Sequence, residues 1–361
     1  MKYLKPNLYW LFICVPIAFG LEWSHAPAPL IFFSAALSII PIARLISLAT
    51  ENLATYTGDA VGGLLNATFG NLPELIIAIV ALKAGLHDLV LASLAGAILA
   101  NLLLAMGMSF FIGGLRYHNQ EYYPASVRVY SSMMMIAVLS LTVPSAFHRL
   151  FGAGGPNPHE NALNIGLSVL LLLAYALYLV FMLKTHPDFF QSEASVPEEQ
   201  HHHENRWPLR TALLVLIGAS AGAAFMSEVL VGAAEATGEA LGMSSVFIGV
   251  IFLAVIGGAA ESLSAIAMAS KNKMDLSISI ALGSSIQIAL FVAPLLVLLS
   301  LVVGPGQMNL AFGRGLIGAL FLGVILGAMI SGDGRSNWYK GVQLIIVYLI
   351  IAMMFFFMPA S

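Results

Sequence analysis

Charge is what this chain has least of. Lysine, arginine, aspartate and glutamate together make up 9% of its 361 residues, while 59% are hydrophobic. An average soluble domain carries about 25% charged residues, so the chain is an integral membrane protein. Cysteine is nearly absent: Cys14 stands alone in the first apolar run, which excludes an intramolecular disulfide framework. No Walker loop, His-Glu-x-x-His or Gly-x-Ser-x-Gly elbow occurs, so nothing supports ATP-driven pumping or hydrolysis, and no enzyme is expected. Strand alternation of the membrane-barrel type is missing. No stretch is left for a separate soluble domain, and the net charge of −3 offers no nucleic-acid partner.

What remains is a series of apolar runs about 20 residues long, the length a helix needs to cross about 30 Å of hydrocarbon. Eleven spans are expected, near 7–22, 29–50, 60–83, 88–113, 125–147, 161–183, 208–234, 245–270, 275–302, 309–330 and 338–358. The first resembles a signal peptide, but Ala26-Pro27-Ala28 is followed by Pro29, a poor residue after a cleavage point, and it is read as a retained helix. One connector is long: residues 185–207, acidic and carrying His201-His202-His203. The expected division is a leading helix (1–24), a first five-helix unit (25–184), this cytoplasmic linker (185–207) and a second five-helix unit (208–361). With the N-terminus in the cytoplasm, that side collects Lys2, Lys5, Arg116, Arg128, Lys184, Arg206, Arg210, Lys271, Lys273, Arg335 and Lys340. The opposite side receives Lys83, Arg149 and Arg314, while Arg44 lies within a span. The positive-inside rule therefore puts the N-terminus inside and the C-terminus outside.

The two units repeat one another. At an offset of 187, Gly62 meets Gly249, Gly70 meets Gly257, Glu74 meets Glu261, Asp88 meets Asp275 and Gly96 meets Gly283. A three-residue shift upstream brings Glu51 onto Glu235 and Arg44 onto Glu228. Five spans per unit is an odd number, so the second unit lies upside down relative to the first, the inverted-repeat plan of secondary transporters. The expected fold is an all-α polytopic membrane protein of about eleven transmembrane helices, one leading helix plus two inverted five-helix repeats.

Glu74 and Glu261 carry the chemistry. A carboxylate at the centre of a membrane helix costs roughly 2.5–3.5 kcal/mol on insertion scales, and its default reading is functional. Each follows a helix interruption, Gly70-Asn71-Leu72-Pro73 in the first unit and Gly257-Gly258 in the second. Such breaks free backbone carbonyls, which membrane depth tolerates only around a cavity or an ion. Carboxylate, carbonyl and amide oxygens suit a hard cation such as Ca²⁺ better than copper or zinc. Two facing carboxylates neutralise one divalent ion. Without it they are too costly to leave doubly ionised and titrate as one coupled unit, so protons and Ca²⁺ compete for the same oxygens. Ser93, Asn101, Ser284, Ser285 and Gln287 on the following helices are candidate ligands or supports. Glu51, Glu228 and Glu235 form an outer acidic group suited to a vestibule or proton path, and Arg44 is a candidate partner for a carboxylate.

The run Gly62-Gly63-Leu64-Leu65-Asn66-Ala67-Thr68-Phe69-Gly70-Asn71 with Glu74-Leu75-Ile76 resembles the first signature repeat of the calcium/proton exchangers of the CAX family, within the cation/Ca²⁺ exchanger superfamily. Ser227-Glu228 with Glu235, Gly257 with Ala259-Ala260-Glu261, and Gly283-Ser284-Ser285-Ile286-Gln287-Ile288-Ala289 are similar to its second-half motifs. The resemblance covers essentially the whole chain. It implies an eleven-helix antiporter that moves Ca²⁺ against inward proton flow, with Glu74 and Glu261 as the central pair. It also implies Asn101 and Gln287 lining the site, and Glu228 and Glu235 as matched motif acids. Two positions depart from the family's Gly-Asn-Ala-Ala-Glu-His: Gly258 stands for the Asn and Ser262 for the His, so an oxygen ligand and a titratable neighbour are missing on that side.

The expectation is thus Ca²⁺/H⁺ antiport by alternating access, with Ca²⁺ and H⁺ as transported ions, no cofactor, and the lipid bilayer as surroundings. The rivals are an exchanger coupled to Na⁺ or preferring Mn²⁺ or another cation and, less favoured, a passive cation channel. The short N-terminus, without the long extension of plant members, favours a prokaryotic plasma membrane. Whether the chain oligomerises is not legible in it.

Overall fold

The computed structural model describes residues 8–151, 158–186 and 207–358. The linker expected at 185–207 lies, except at its two ends, outside the described residues, as do Lys2, Lys5 and Arg206. Nearly all of the rest is helix. The first unit contains α1 (Cys14–Trp23), α2 (Ala28–Phe69), α3 (Leu72–Lys83), α4 (His87–Leu99), α5 (Met106–Tyr117), strand β1 (Asn119–Glu121), α6 (Pro124–Phe151) and α7 (Pro158–Val180). The second contains α8 (Leu209–Gly232), α9 (Ala234–Leu241), α10 (Ser245–Phe247), α11 (Ala254–Gly257), α12 (Ala259–Ala269), α13 (Met274–Gln287), α14 (Ala293–Leu299), α15 (Arg314–Ser331), β2 (Arg335–Asn337) and α16 (Trp338–Phe356). Among the described residues eight helices are long and apolar enough to cross a membrane. The pair Ser245–Gly257 and Ala259–Ala269, bent by 58°, makes a ninth.

The expected count of eleven is not reached by this measure, for two reasons. Leu8–Trp23 is apolar but short. The expected spans 29–50 and 60–83 are also divided differently: α2 runs unbroken through 51–60 for 42 residues, and the chain turns only at Gly70-Asn71. Residues 51–60 are polar enough to suggest a connector, yet Glu51-Asn52-Leu53-Ala54-Thr55-Tyr56 holds no proline to stop a helix. At a rise of 1.5 Å per residue α2 is about 63 Å long, roughly twice the hydrocarbon thickness. In the second unit the corresponding stretch does stop, at Gly242, whose left-handed conformation (φ 66°) caps α9.

The repeat read from sequence reappears in the element starts. Leu72 and Ala259 open α3 and α12, His87 and Met274 open α4 and α13, and Met106 and Ala293 open α5 and α14, all 187 apart. Just before the last pair, Ala100–Ala105 and Ile288–Val292 are both wound as π-helix, a distortion frequent at functional sites.

Packing follows the apolar stripes. Phe32, Ile39, Ala43, Ile46 and Leu53 recur at helical spacing along α2 and are buried, as are Ala219, Ala223, Met226 and Leu230 of α8, against which α2 lies. At the centre, α4 crosses the π-helical segment Ile248–Leu253 so closely that glycine is required. A Cβ on Gly96 would collide with the Val250 backbone, and one on Gly249 would stand 2.6 Å from the Ala92 Cβ. Such close crossings supply the dispersion that replaces hydrophobic drive between helices in lipid.

Hydrogen bonds gather the connectors at the two ends. At one, Gln120 Nε2 donates to Ala269 O (2.9 Å), Tyr117 Oη and Arg116 Nη1 to Ser270 O (3.1 and 3.0 Å), and Tyr122 Oη to Ser331 O (2.9 Å), while β1 and β2 pair antiparallel. That end holds Arg116, Lys271, Lys273, Arg335 and Lys340, all expected in the cytoplasm. At the other, buried Glu160 accepts from Asn309 Nδ2 (2.9 Å) and meets His148 Nδ1 at 2.7 Å, and Ser145 Oγ donates to Leu310 O (3.2 Å).

Gly96→Ala and Gly283→Ala make a matched test of this packing. The first pushes a methyl into backbone; the second, at the equivalent repeat position, meets nothing within 4 Å. Overpacking costs typically 1–3 kcal/mol, so Gly96→Ala is expected to lower the thermal unfolding midpoint in detergent by several degrees. Gly283→Ala should leave it unchanged.

Candidate ion-binding site

The breaks fall where the sequence puts them. The chain turns at Gly70-Asn71 before α3, and Pro73 sits in the first turn, where its missing N–H costs nothing. It bends at Gly258 before α12. Glu74 and Glu261 are the third residues of α3 and α12, so each lies in a first turn whose N–H groups lack helical partners and whose dipole favours negative charge.

Glu74 is buried (7% exposed), and neither carboxylate oxygen accepts a hydrogen bond from the described residues. Its side chain reaches across to the second unit: a Cβ on Gly257 would stand 2.9 Å from Glu74 Cγ, so only glycine there lets the acid through. Glu261 is partly buried, and its Oε2 is likewise without a hydrogen bond from the described residues. Glu74 Oε1 stands 3.5 Å from where a Cβ on Gly258 would lie, three residues ahead of Glu261, so the side chain of one expected acid reaches the helix start that carries the other.

A chain of polar side chains ties the units around them. Asn101 Nδ2 donates to Ser284 Oγ (2.9 Å), Ser284 Oγ donates to Asn71 Oδ1 (2.6 Å), and Asn71 Nδ2 donates to Ser284 O (3.3 Å). Gln287 Nε2 donates to Thr68 O (3.1 Å), a carbonyl beside the first break. Asn71, Asn101, Ser284 and Gln287 are all buried. Gly70, Asn71, Glu261, Ser284 and Gln287 line a cavity of about 340 Å³, together with Gly283, Ser47, Glu51, Ser264, Tyr130, Tyr175, Tyr178 and Met182. Gly257, Gly258 and Asn101 lie behind it, against Glu74.

Three expectations need correction. Ser285 takes no part: it is fully buried and its hydroxyl donates to Ala281 O of its own helix (3.0 Å). Ser93 similarly donates to Val90 O (2.8 Å), although it stands near Glu74. Nor do the outer acids form one group. Glu51 is at the cavity and pairs with Arg44 (Nη1–Oε1 3.7 Å), whose Nη1 also donates to Ser264 Oγ (3.2 Å). Glu228 and Glu235 line a separate hollow with Lys83, which stands 3.9 Å from Glu228. Inversion is the reason: positions equivalent in the repeat fall at opposite ends of the molecule. The expected carboxylate partner of Arg44 is therefore Glu51.

Part of the cavity wall was legible but unread. Ser264 follows Glu261 by three residues and Ser47 precedes Glu51 by four, each on its neighbour's helix face. The tyrosines come from α6 and α7, and nothing in their local sequence links them to the site. Tyr130 Oη lies 2.9 Å from Ser279 Oγ, closing the wall between α6 and α13.

Residues 27–184 and 211–357 match the model of the sodium/calcium exchanger protein family. The chain belongs to this family. It is 42% identical to the Ca²⁺/H⁺ antiporter ChaA of Bacillus subtilis, over 95% of this chain and 96% of that protein. It is 40% identical to a Ca²⁺/H⁺ antiporter of Aphanothece halophytica, over 97% and 96%. Among solved structures, that of native YfkE superposes with a TM-score of 0.83 at 38% identity, covering 98% of this chain and all of that one.

Ser284 holds both amides, so Ser284→Ala leaves buried polar groups of Asn71 and Asn101 without a partner. That loss is worth about 1–3 kcal/mol. Stability measured for Ser284→Ala, Asn71→Ala and the double variant should show clear non-additivity; additive losses would mean the hydrogen bonds contribute nothing.

Proposed function

We propose that this chain exchanges Ca²⁺ for H⁺ across the membrane as a secondary antiporter. The observation that carries the reading is the reach of Glu74 across to the Gly257-Gly258 break that opens the Glu261 helix, beside a cavity that Glu261 lines with Glu51, Asn71, Ser284 and Gln287. Its relatives of 40–42% identity bear the name Ca²⁺/H⁺ antiporter and align over nearly their full length.

The chemistry follows from charge. Two ionised carboxylates in a poorly solvated site repel one another, and both Glu74 oxygens and Glu261 Oε2 accept no hydrogen bond from the described residues to spread their charge. A divalent cation relieves both at once, and protons relieve them equally well. Oxygens that hold the metal cannot hold the protons, so loading one cargo expels the other. Asn71, Asn101 and Ser284 hold the breaks in register and offer oxygens toward the ion. Glu51 and Arg44 stand at the mouth of the cavity, where they meet ions entering or protons leaving.

Access alternates because the halves are inverted. Residues 25–184 and 208–361 act as the two moving units, 1–24 as a leading helix and 185–207 as the tether between them. In this structure α3 lies against α8, whereas α12 and α2, the equivalent pair, face one another across the cavity. The cavity lies toward the end that collects Arg116, Lys271, Lys273, Arg335 and Lys340. We read that end as cytoplasmic and the membrane as a prokaryotic plasma membrane, with the N-terminus inside and the C-terminus outside. The carboxylates then take up Ca²⁺ from the cytoplasm against protons, release it outside, and return protonated.

In everted membrane vesicles, a pH gradient alone is expected to drive ⁴⁵Ca²⁺ uptake, with no requirement for Na⁺. Glu74→Gln and Glu261→Gln are each expected to abolish it while the protein stays folded and inserted. Full exchange in either variant removes that residue from the central role, and a requirement for Na⁺ selects the rival coupling. Failure to accumulate Ca²⁺ against its gradient at any pH difference selects a channel.

A further inference from the structure

The open cavity has an image on the other side of the carboxylates. At the offset of 187, its residues Glu261, Ser264, Ile280 and Ser284 correspond to Glu74, Ile77, Ser93 and Ala97. Those four line a space of their own, together with Leu94, Leu253, Ala254 and Ile288. The two spaces differ greatly in size, about 340 Å³ for the cavity and about 10 Å³ for its image. A single water needs about 10–15 Å³ and two or more polar partners. The smaller space is a closed seam and not a path.

The image continues outward. At the upstream offset of 184, Ser47 and Glu51 of the cavity correspond to Val231 and Glu235. These line the outer hollow of about 410 Å³ with Val80, Lys83 and Glu228. Helix α3 joins seam to hollow: Glu74 and Ile77 line the seam and Val80 the hollow, each one turn beyond the last. At 1.5 Å per residue, the step from Glu74 to Val80 covers about 9 Å along the axis. Ile77 occupies the middle of that step and is 3% exposed. The wall also changes in chemistry. Ser47, Ser264 and Ser284 on the open side give way to Val231, Ile77 and Ala97 on the closed side. One exchange runs the other way, Ser93 for Ile280, but the Ser93 hydroxyl donates to Val90 O (2.8 Å). Apolar constrictions of this kind close a path by dewetting it. A proton needs hydrogen-bonded waters or side chains to move along, and beyond Glu74 and Ser93 the seam offers only apolar side chains.

We propose that Ile77 is the coupling residue of the exchange: with Leu94, Leu253 and Ile288 it keeps the seam dry, so that no proton reaches Glu74 from the outer hollow until the units rearrange. The proposal rests on the exchange reading above and adds to it the part that stops protons from passing without Ca²⁺. A wetted seam would connect the carboxylates to both sides of the membrane at once. Protons would then run inward continuously, and the pH gradient would decay without moving Ca²⁺. A hydroxyl at 77, the group Ser264 supplies on the open side, anchors water there and shortens the side chain. A valine at 77 stays apolar and nearly fills the same space.

The test uses the full-length protein in proteoliposomes with an imposed pH gradient, comparing wild type, Ile77→Ser and Ile77→Val. A trapped pH-sensitive dye follows the decay of the gradient without Ca²⁺, and ⁴⁵Ca²⁺ uptake is measured in parallel. Ile77→Ser is expected to dissipate the gradient several-fold faster than wild type and to accumulate correspondingly less ⁴⁵Ca²⁺, with its KM unchanged. Ile77→Val is expected to follow wild type in both. Adding Glu74→Gln to Ile77→Ser should close the leak, because the protons pass by way of that carboxylate. Where Ile77→Ser fails to fold, Ile77→Thr supplies the hydroxyl in the shape of valine and is compared with Ile77→Val. Hydroxyl variants as tight as wild type, an equal leak in Ile77→Val, or a leak that survives Glu74→Gln overturns the proposal. The leak is read without Ca²⁺, so it decides the role of Ile77 even if wild type takes up no Ca²⁺, the result that sinks the exchange reading itself.

Discussion

Two negative charges that cannot both remain bare organise this molecule. Unit charges 4 Å apart interact by about 4 kcal/mol at an effective dielectric of 20, a scale comparable with the net stability of a whole domain. Glu74 is buried and reaches the helix break that opens the Glu261 helix, and Glu261 lines a cavity of polar and apolar side chains. Several neighbours shape the approach of one to the other. Gly257 opens the passage for the Glu74 side chain. The first turns of α3 and α12 present N–H groups without adding a formal charge. Arg44, near the Glu261 helix, pairs with Glu51 and donates to Ser264.

Symmetry provides the frame, and the departures from symmetry provide the working parts. Element starts 187 apart and paired π-helical segments mark two copies of one unit. Against that frame Asn71 has no amide counterpart, Ser284 has no hydroxyl counterpart, and Arg44 corresponds to an acid. A perfectly symmetric pair would expose its site equally from both ends. Here α3 is seated on α8 and the cavity opens between α2 and α12 instead, so the structure has a direction.

How much of this could be read from the residues depends on the kind of signal. The two glutamates stood out because a carboxylate in an apolar run is costly, and the matching offset stood out because acids are scarce in the chain. The interruptions at Gly70-Asn71 and Gly258 were legible from glycine and proline chemistry. Other features were not. Polar residues 51–60 looked like a connector, but polarity does not end a helix that lacks a breaker, and α2 continues through them. Ser285 looked like a ligand beside Ser284, yet adjacent residues on a helix point about 100° apart, and its hydroxyl turns back to Ala281. Glu51, Glu228 and Glu235 were grouped by type, whereas inversion sends them to opposite ends. The cavity tyrosines and buried Glu160 depend on which helices become neighbours, and no local pattern carries that.

The ease of switching follows from what holds each end shut. Sliding one apolar helix past another in lipid forfeits little hydrophobic energy, because lipid tails are as apolar as the side chains they replace. The polar fastenings near the two pathways are Lys83 with Glu228, and Arg44 with Glu51 and Ser264. The first pair is exposed on both sides, and Glu51 of the second is about half exposed. Ion pairs in such surroundings contribute about 0–1 kcal/mol. Neither of these ion pairs therefore locks its end. In the exchange proposed above, the dominant penalty against crossing falls on the state in which Glu74 and Glu261 are both bare, since that state carries uncompensated charge through the middle of the bundle. A loop through which the empty, doubly ionised site cannot pass is what makes the two cargoes exchange rather than leak.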